Sequence, residues 1–287
     1  MKNNLMIGVS VGVGEITAII CDEQFKILER KINPLPSKLG KESIAARVQK
    51  TITSLPSFRQ AWAMGVSFPA VLDREGKKVI KSTIGELNGA NAYQLLTKKI
   101  NLPIFISSRN FGSLLAEQAF GAAKTAKNAC LVEIGRNINC SLLVNGKIYR
   151  GATNSSGQIA NIIVDITREK RQGIGEFGSL ISGEGIEALT GKSVYQILKE
   201  NPNSELVNKQ ILRDLQDSLL TGLYNVKLLF DPELFIIAGD IVESFALFKT
   251  AFADLGVKVV KSPLGKDGPP LGAAIAAFNQ ARKQTSL

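Results

Sequence analysis

Apolar positions run almost unbroken through residues 5–11, stop at Gly12–Gly14, and resume over 16–21, with a further strand-like stretch over 25–32. Short apolar runs cornered by glycine read as strands rather than helices. The same figure returns later. Residues 129–134 predict a strand, a turn follows near Gly135–Asn137, and 138–144 predict another strand. Asn145-Gly146 is a strong hairpin signal that folds 147–150 back onto it. Two glycine-cornered units of three strands, each opening one half of the chain, point to an internal structural duplication.

Between and after these units the period changes to that of helices. Residues 42–54 predict an amphipathic helix ending before Leu55-Pro56. Residues 108–125 carry Phe111, Leu114, Leu115, Gln118 and Ala119 at helical spacing, with Ser107 or Ser108 as cap. Residues 205–229 place Val207, Ile211, Leu212, Leu215, Leu219, Leu223 and Tyr224 on one stripe, and Asp231-Pro232 ends it. A buried strand over 234–238 leads into Gly239-Asp240, and 271–284 predict a last helix. Alternating strands and helices imply α/β layers. The expected division is a first lobe over 1–115, closed by the helical segment 271–287, and a second lobe over 116–270, with a cleft between them.

Composition narrows the chemistry. With 287 residues, 45% hydrophobic and 21% charged, the chain can bury a sizeable core and is not of disordered type. Cys21, Cys130 and Cys140 sit in apolar runs with no CxxC pair, so they read as small buried hydrophobes. There is no histidine, which removes any imidazole base and argues against a zinc site. The net charge of +10 is spread in pairs such as Lys77-Lys78 and Lys98-Lys99, without long blocks or interleaved aromatics, so a solvated basic surface is expected rather than a nucleic-acid face. The start, MKNNLMIGVSVGVG, loosely imitates a signal peptide, but Glu15 follows at once and a first core strand fits better. No apolar run approaches membrane-spanning length. A cytoplasmic protein is expected.

Four segments, taken in order, resemble the ROK family, which groups bacterial sugar kinases with sugar-responsive repressors. LPIFISSRNFGSLLAEQAFGAA (102–123) is similar to the family's segment bearing the catalytic aspartate, and NGKIYRGATNSSGQIAN (145–161) to the approach to its sugar and zinc sites. FDPELFIIAGDI (230–241) resembles the strand and glycine turn near adenosine, with Gly239 and Asp240, and PLGAAIAAF (270–278) the closing helix. The resemblance implies a two-lobed actin-like ATPase (ribonuclease H-like) fold. It also implies a homodimer through the second lobe. The family's repressors carry a winged helix-turn-helix ahead of this core. Here the core starts by residue 5, so the expectation is that this domain is absent and that the chain does not bind DNA directly.

The same resemblance implies that the kinase chemistry is degenerate. Ser10 stands where the family has a metal-holding aspartate, and Glu15 where lysine is common. Arg109 takes the catalytic aspartate position, and Ser108 that of its preceding asparagine. The second phosphate turn reads Gly135-Arg136-Asn137 in place of a glycine-rich run. A sugar-binding glutamate becomes Gln158, and the sugar- or zinc-binding histidine becomes Asn161. The cysteine cluster is replaced by a span holding Arg171 and Glu176, and the next sugar glutamate aligns with Gly178. Gly12, Gly14, Gly135 and Gly239 keep the backbone turns. A positioned base contributes roughly 10²–10⁴ in rate, and phosphoryl transfer rests on metal and cation electrostatics. The expectation is a non-catalytic sensor or scaffold without cofactor or metal, able to take a sugar or an anionic small molecule. Two alternatives stay open. One is a kinase with a remodelled site using ATP and Mg²⁺. The other is the effector half of a transcriptional regulator. Arg109 and Arg136 are either a new anion site or solvated and paired surface cations.

Overall fold

The structure is a computed structural model and describes residues 5–167, 175–191 and 206–285. In chain order the strands and α-helices begin with β1 (Leu5–Val11), β2 (Glu15–Cys21), β3 (Ile27–Pro34), α1 (Lys41–Thr53), β4 (Ala61–Phe68), β5 (Ala70–Leu72), β6 (Val79–Ser82), α2 (Ala92–Thr97), β7 (Ile104–Ser108) and α3 (Arg109–Phe120). There follow β8 (Ala129–Ile134), β9 (Ile138–Val144), β10 (Lys147–Tyr149), α4 (Phe177–Ile181), α5 (Gly183–Thr190), α6 (Leu206–Phe230), β11 (Leu234–Ala238), α7 (Lys249–Asp254), β12 (Lys258–Lys261) and α8 (Gly268–Thr285).

The chain divides into two compact units: residues 1–121 with 150–155 and 266–287, and residues 122–149 with 156–265. Each is built on a five-stranded sheet, ordered β3-β2-β1-β4-β7 in the first and β10-β9-β8-β11-β12 in the second. In both, a three-strand antiparallel meander is extended by two parallel strands. The duplication expected from the repeated strand pattern is present as one topology used twice.

In the first unit, alternate residues of β1 serve different layers, as the pleat requires. Leu5, Ile7, Val9 and Val11 join Ile44, Val48 and Ile52 of α1, whereas Met6 joins Ala274 and Ala277 of α8. On the α8 face the backbones come so close that only glycine fits. A β-carbon on Gly8 would stand 2.0 Å from the Pro270 carbonyl oxygen, and one on Gly65 would stand 1.9 Å from that of Ala273. The helix thus lies nearly on the sheet. It starts at Gly268 rather than 271 because Pro269 and Pro270 are tolerated in a first turn, where no intrahelical N–H is needed.

In the second unit, Cys130, Val132, Cys140, Leu142, Phe235 and Ile237 of the sheet pack with Phe177, Leu219 and Leu223 of α4 and α6. All three cysteines are buried and unbridged, as their apolar setting suggested. Burial, with Asp22 adding a smaller effect, pushes the Cys21 thiol up to about 12. A hydrogen bond with Cys130, reinforced by burial, pushes Cys140 well up as well.

The boundaries differ where turn chemistry intervenes. The third strand begins at Ile27, not 25, because Asp22 Oδ1 accepts from the Gln24 and Lys26 amides and Phe25 sits at φ 60. The helix expected over 108–125 ends at Phe120, with Gly121 leaving helical geometry at φ −110, ψ −147. Segment 150–155 groups with the first unit, although 116–270 was expected to form the second lobe without interruption. The cause is local: the Arg150 guanidinium lies 4.7 Å from the Phe111 ring centre, and Asn154 Nδ2 donates to the carbonyl of Asp73 at 3.0 Å. Among the described residues no helix is long and apolar enough to cross a membrane.

Candidate functional site

In the first unit the turn after β1 and the start of α3 meet. Ser10 is buried near the end of β1, in register with Thr17 of β2 and Ser67 of β4. Ser67 is in turn in register with Ser107 of β7. Three serines therefore share one face at the carboxyl ends of three parallel strands, the place where open α/β sheets present ligand sites. Ser67 Oγ donates to the Val9 carbonyl at 3.1 Å, whereas the Ser107 hydroxyl is buried without a hydrogen-bond partner among the described residues.

Ser108 is buried and forms the N-cap of α3 with no side-chain capping bond, so Arg109 opens the helix. A cation at a helix N-terminus faces the positive end of the helix dipole, worth about 0.3–1 kcal/mol against it. Arg109 reaches back to the first turn. Its Nη1 lies 3.1 Å from where a β-carbon on Gly12 would stand. The Gly12 amide is spent on the Glu15 carbonyl at 2.7 Å, and Gly14 is open to solvent with its carbonyl accepting from the Leu35 amide. Glu15 is paired with Lys266 at 3.7 Å, just ahead of α8. Ser10, Gly12, Gly14, Glu15, Ser108 and Arg109 are thus assembled around one turn. Lys266 joins them unforeseen; its signal was the Gly-Lys-Asp-Gly turn ahead of the closing helix.

In the second unit, the Gly135–Asn137 turn is closed by its own backbone, with the Gly135 amide donating to the Asn137 carbonyl at 3.0 Å. The start of α5 packs directly on it. The amides of Gly183 and Glu184 donate to the carbonyls of Gly135 and Arg136 at 2.7 and 3.1 Å, and Ser182 Oγ caps the helix through the Gly185 amide at 3.1 Å. Arg136 is exposed on this turn. Asp240 faces it, one oxygen lying 3.3 Å from the β-carbon position of Gly135. Gly239, at φ 86, could not carry a side chain, since a β-carbon would stand 2.4 Å from the Ile134 carbonyl oxygen. Gly135, Arg136, Gly239 and Asp240 are therefore one cluster.

Gln158, half-buried, caps a short 3-10 turn over Ile159–Asn161, and Asn161, exposed, ends it. Gly157 anchors that turn against β9: it has φ 79, and a β-carbon there would stand 1.8 Å from the Cys140 carbonyl oxygen. Gly178 is buried in α4 with its β-carbon position 3.0 Å from the Ala160 methyl, so no side chain projects there. Glu176 is the N-cap of α4. Arg171 lies outside the described residues.

The chain has the fold of the actin-like sugar kinases. It matches a ROK glucokinase from Streptomyces griseus, solved with glucose and AMPPNP, at a TM-score of 0.82 and 18% identity, covering 96% of this chain and 99% of that one. It matches a ROK family protein from Streptococcus pneumoniae, solved with sucrose, at a TM-score of 0.78 and 19% identity, covering 98% and 99%. The chain belongs to the ROK family, whose model matches residues 6–276. Among relatives, it is 24% identical over 295 residues to the xylose repressor of Bacillus subtilis, covering 94% of this chain and 76% of the repressor.

Proposed function

We propose that this chain is a non-catalytic ROK protein that senses a sugar, with its kinase site replaced by self-contained contacts. The observation that carries this reading is the Arg109 guanidinium held against Gly12 of the first turn, with buried Ser10 in place of a carboxylate. A kinase needs a base near the sugar hydroxyl and a cation-filled phosphate cradle. A guanidinium side chain is no general base, and it brings no oxygen ligand for Mg²⁺. The residues present do not fit that ion. Mg²⁺ is held by carboxylates and phosphates, whereas this turn carries Ser10, Arg109 and Lys266, and its one carboxylate, Glu15, is paired with Lys266. At the second turn, the Gly135, Gly183 and Glu184 amides are spent on backbone carbonyls, which leaves fewer donors for phosphate.

A regulatory role, including that of an effector domain acting through a DNA-binding partner, is favoured by the similarity to the xylose repressor over nearly the whole chain. The reading includes a homodimer through the second unit. Tyr224, Leu228 and Leu229 of α6 support it, being 44%, 65% and 72% exposed, and light scattering is its direct check. The sensor reading is tested by thermal melting with neutral pentoses, hexoses and amino sugars. At least one should raise the melting temperature saturably, since a ligand at 100 times its Kd adds about 2.7 kcal/mol, and Gln158→Ala should abolish the shift. No saturable shift with any sugar would remove the sensor role.

A further inference from the structure

A cavity of about 610 Å³ lies within the first unit, beside the free edge of β7. Its lining shares Ser108 with the former sugar positions but includes none of Ser10, Gly12, Arg109, Gln158 or Asn161, so it adjoins that site without coinciding with it. Its size falls in the range of small-molecule sites.

The walls are fixed by the chain itself. The loop after β5 folds back through Asp73, whose Oδ1 accepts from the Lys77 and Lys78 amides at 2.8 and 3.1 Å. Segment 150–155 is tied to this loop. Arg74 Nη2 donates to the Ala152 carbonyl at 3.3 Å, and Asn154 Nδ2 donates to the carbonyl of Asp73. The lining also holds the apolar residues Pro103, Phe105, Ile106 and Phe111, with Phe105 and Ile106 on opposite faces of β7 at its edge. Such a pre-tied frame lowers the ordering cost of taking up a ligand.

The charges in the lining are not balanced. Glu75 is matched by Lys77 at 3.1 Å, and the Asp73 carboxylate is satisfied by backbone amides. Arg150 stacks on Phe111 but has no carboxylate within 4.0 Å among the described residues. It is exposed, yet the atoms packed around its guanidinium withdraw enough water to lower its pKa by desolvation. A guanidinium fixed on a ring keeps its fork of N–H donors oriented for a carboxylate or phosphate. Ser107, whose buried hydroxyl has no hydrogen-bond partner among the described residues, lines the same space.

We propose that this cavity binds a small organic anion, a carboxylate or phosphate monoester with a compact apolar body, whose charged head Arg150 holds. The test is separable from the sugar-sensor reading, because that reading turns on Gln158, which the cavity does not include, and the probes here are not sugars.

Phenyl phosphate, benzoate, inorganic phosphate and neutral benzyl alcohol are titrated calorimetrically into the full chain. Phenyl phosphate or benzoate should bind saturably, at least tenfold more tightly than inorganic phosphate or benzyl alcohol. Arg150→Met should weaken that binding at least tenfold, and Arg109→Met should leave it unchanged. A second measurement needs no variant: in the native chain, saturating phenyl phosphate should protect Arg150 from phenylglyoxal, read by peptide mass mapping. The proposal is overturned if neither organic anion binds saturably, if Arg109→Met rather than Arg150→Met removes binding, or if Arg150 stays reactive at saturation.

Discussion

Phe177→Ala is expected to destabilise the second unit by about 3–5 kcal/mol, the usual cost of emptying a large aromatic site in a core. Phe177 is completely buried, in one cluster with Ile159, Leu180, Leu219 and Leu223. The site cannot collapse easily, because the ring tip is seated on a helix backbone. A β-carbon on Gly222 of α6 would stand 2.4 Å from Phe177 Cζ. The same geometry makes a second variant informative. Gly222→Ala should also destabilise, and combining it with Phe177→Leu should cost less than the two single effects added, since the shorter side chain vacates the space the new methyl needs. Urea unfolding followed by far-ultraviolet circular dichroism provides the check. A Phe177→Ala loss under 1 kcal/mol, or strict additivity of the pair, would show that α4 and α6 do not pack this way.

Gly65→Ala should be comparably severe in the first unit. A methyl there would stand 1.9 Å from the Ala273 carbonyl oxygen and 2.4 Å from its carbonyl carbon. Those atoms belong to the backbone of α8, so no side-chain rotation can relieve the contact. The helix must shift off the sheet, disturbing the layer formed by Met6, Ala63, Phe105, Ala274 and Ala277. Overpacking of this kind costs about 3 kcal/mol at the upper end of its usual range, and occasionally more. Gly85→Ala is the control. Gly85 is exposed, has no heavy atom within 4 Å of its β-carbon position, and lies in a short 3-10 turn, so its change should stay within about 0.5 kcal/mol. Equal melting of the two variants would contradict the close seating of α8.

What could be read in advance followed from local chemistry. The β1–β2 hairpin and its echo in β8–β9 are legible because apolar runs and glycine corners sit next to each other in sequence. Asn145-Gly146 forms the tight turn it signals, with both residues at positive φ, 51 and 74. Strands β4 and β7 escaped notice because each is a plain apolar run whose parallel partners lie far along the chain, so no turn signal marks the pairing. The tie of the β5–β6 loop to segment 150–155 escaped because it joins residues far apart in sequence. Asn154 and Asp73 meet through backbone carbonyls that leave no pattern in sequence.

The candidate site was legible by residue identity and not by geometry. The resemblance to the ROK family named Ser10, Arg109, Arg136, Gln158 and Asn161 as departures. It did not indicate that Arg109 lies over Gly12, because that contact joins the ends of two parallel strands through a helix start. Nor did it indicate that α5 spends its first amides on the Gly135–Arg136 turn. That arrangement depends on the Ser182 cap and on Gly183, which brings the helix within 3.2 Å of the Gly135 carbonyl oxygen, measured from its β-carbon position. Cys21, Cys130 and Cys140 were readable as core residues because burial of a thiol needs only apolar neighbours.

The most direct test of the non-catalytic reading is a coupled ADP-release assay. It uses the full chain with ATP, Mg²⁺ and millimolar glucose, mannose, fructose, N-acetylglucosamine or N-acetylmannosamine. Under the proposed reading the base, metal and phosphate positions are all replaced, by Arg109, Ser10 and Arg136, and such losses do not compensate one another. The expected result is sugar-dependent ADP release indistinguishable from the protein-free background for every sugar. Turnover of about 1 s⁻¹ or more with any of them, the low end for working kinases, would contradict the account and assign this chain to the active kinases of its family.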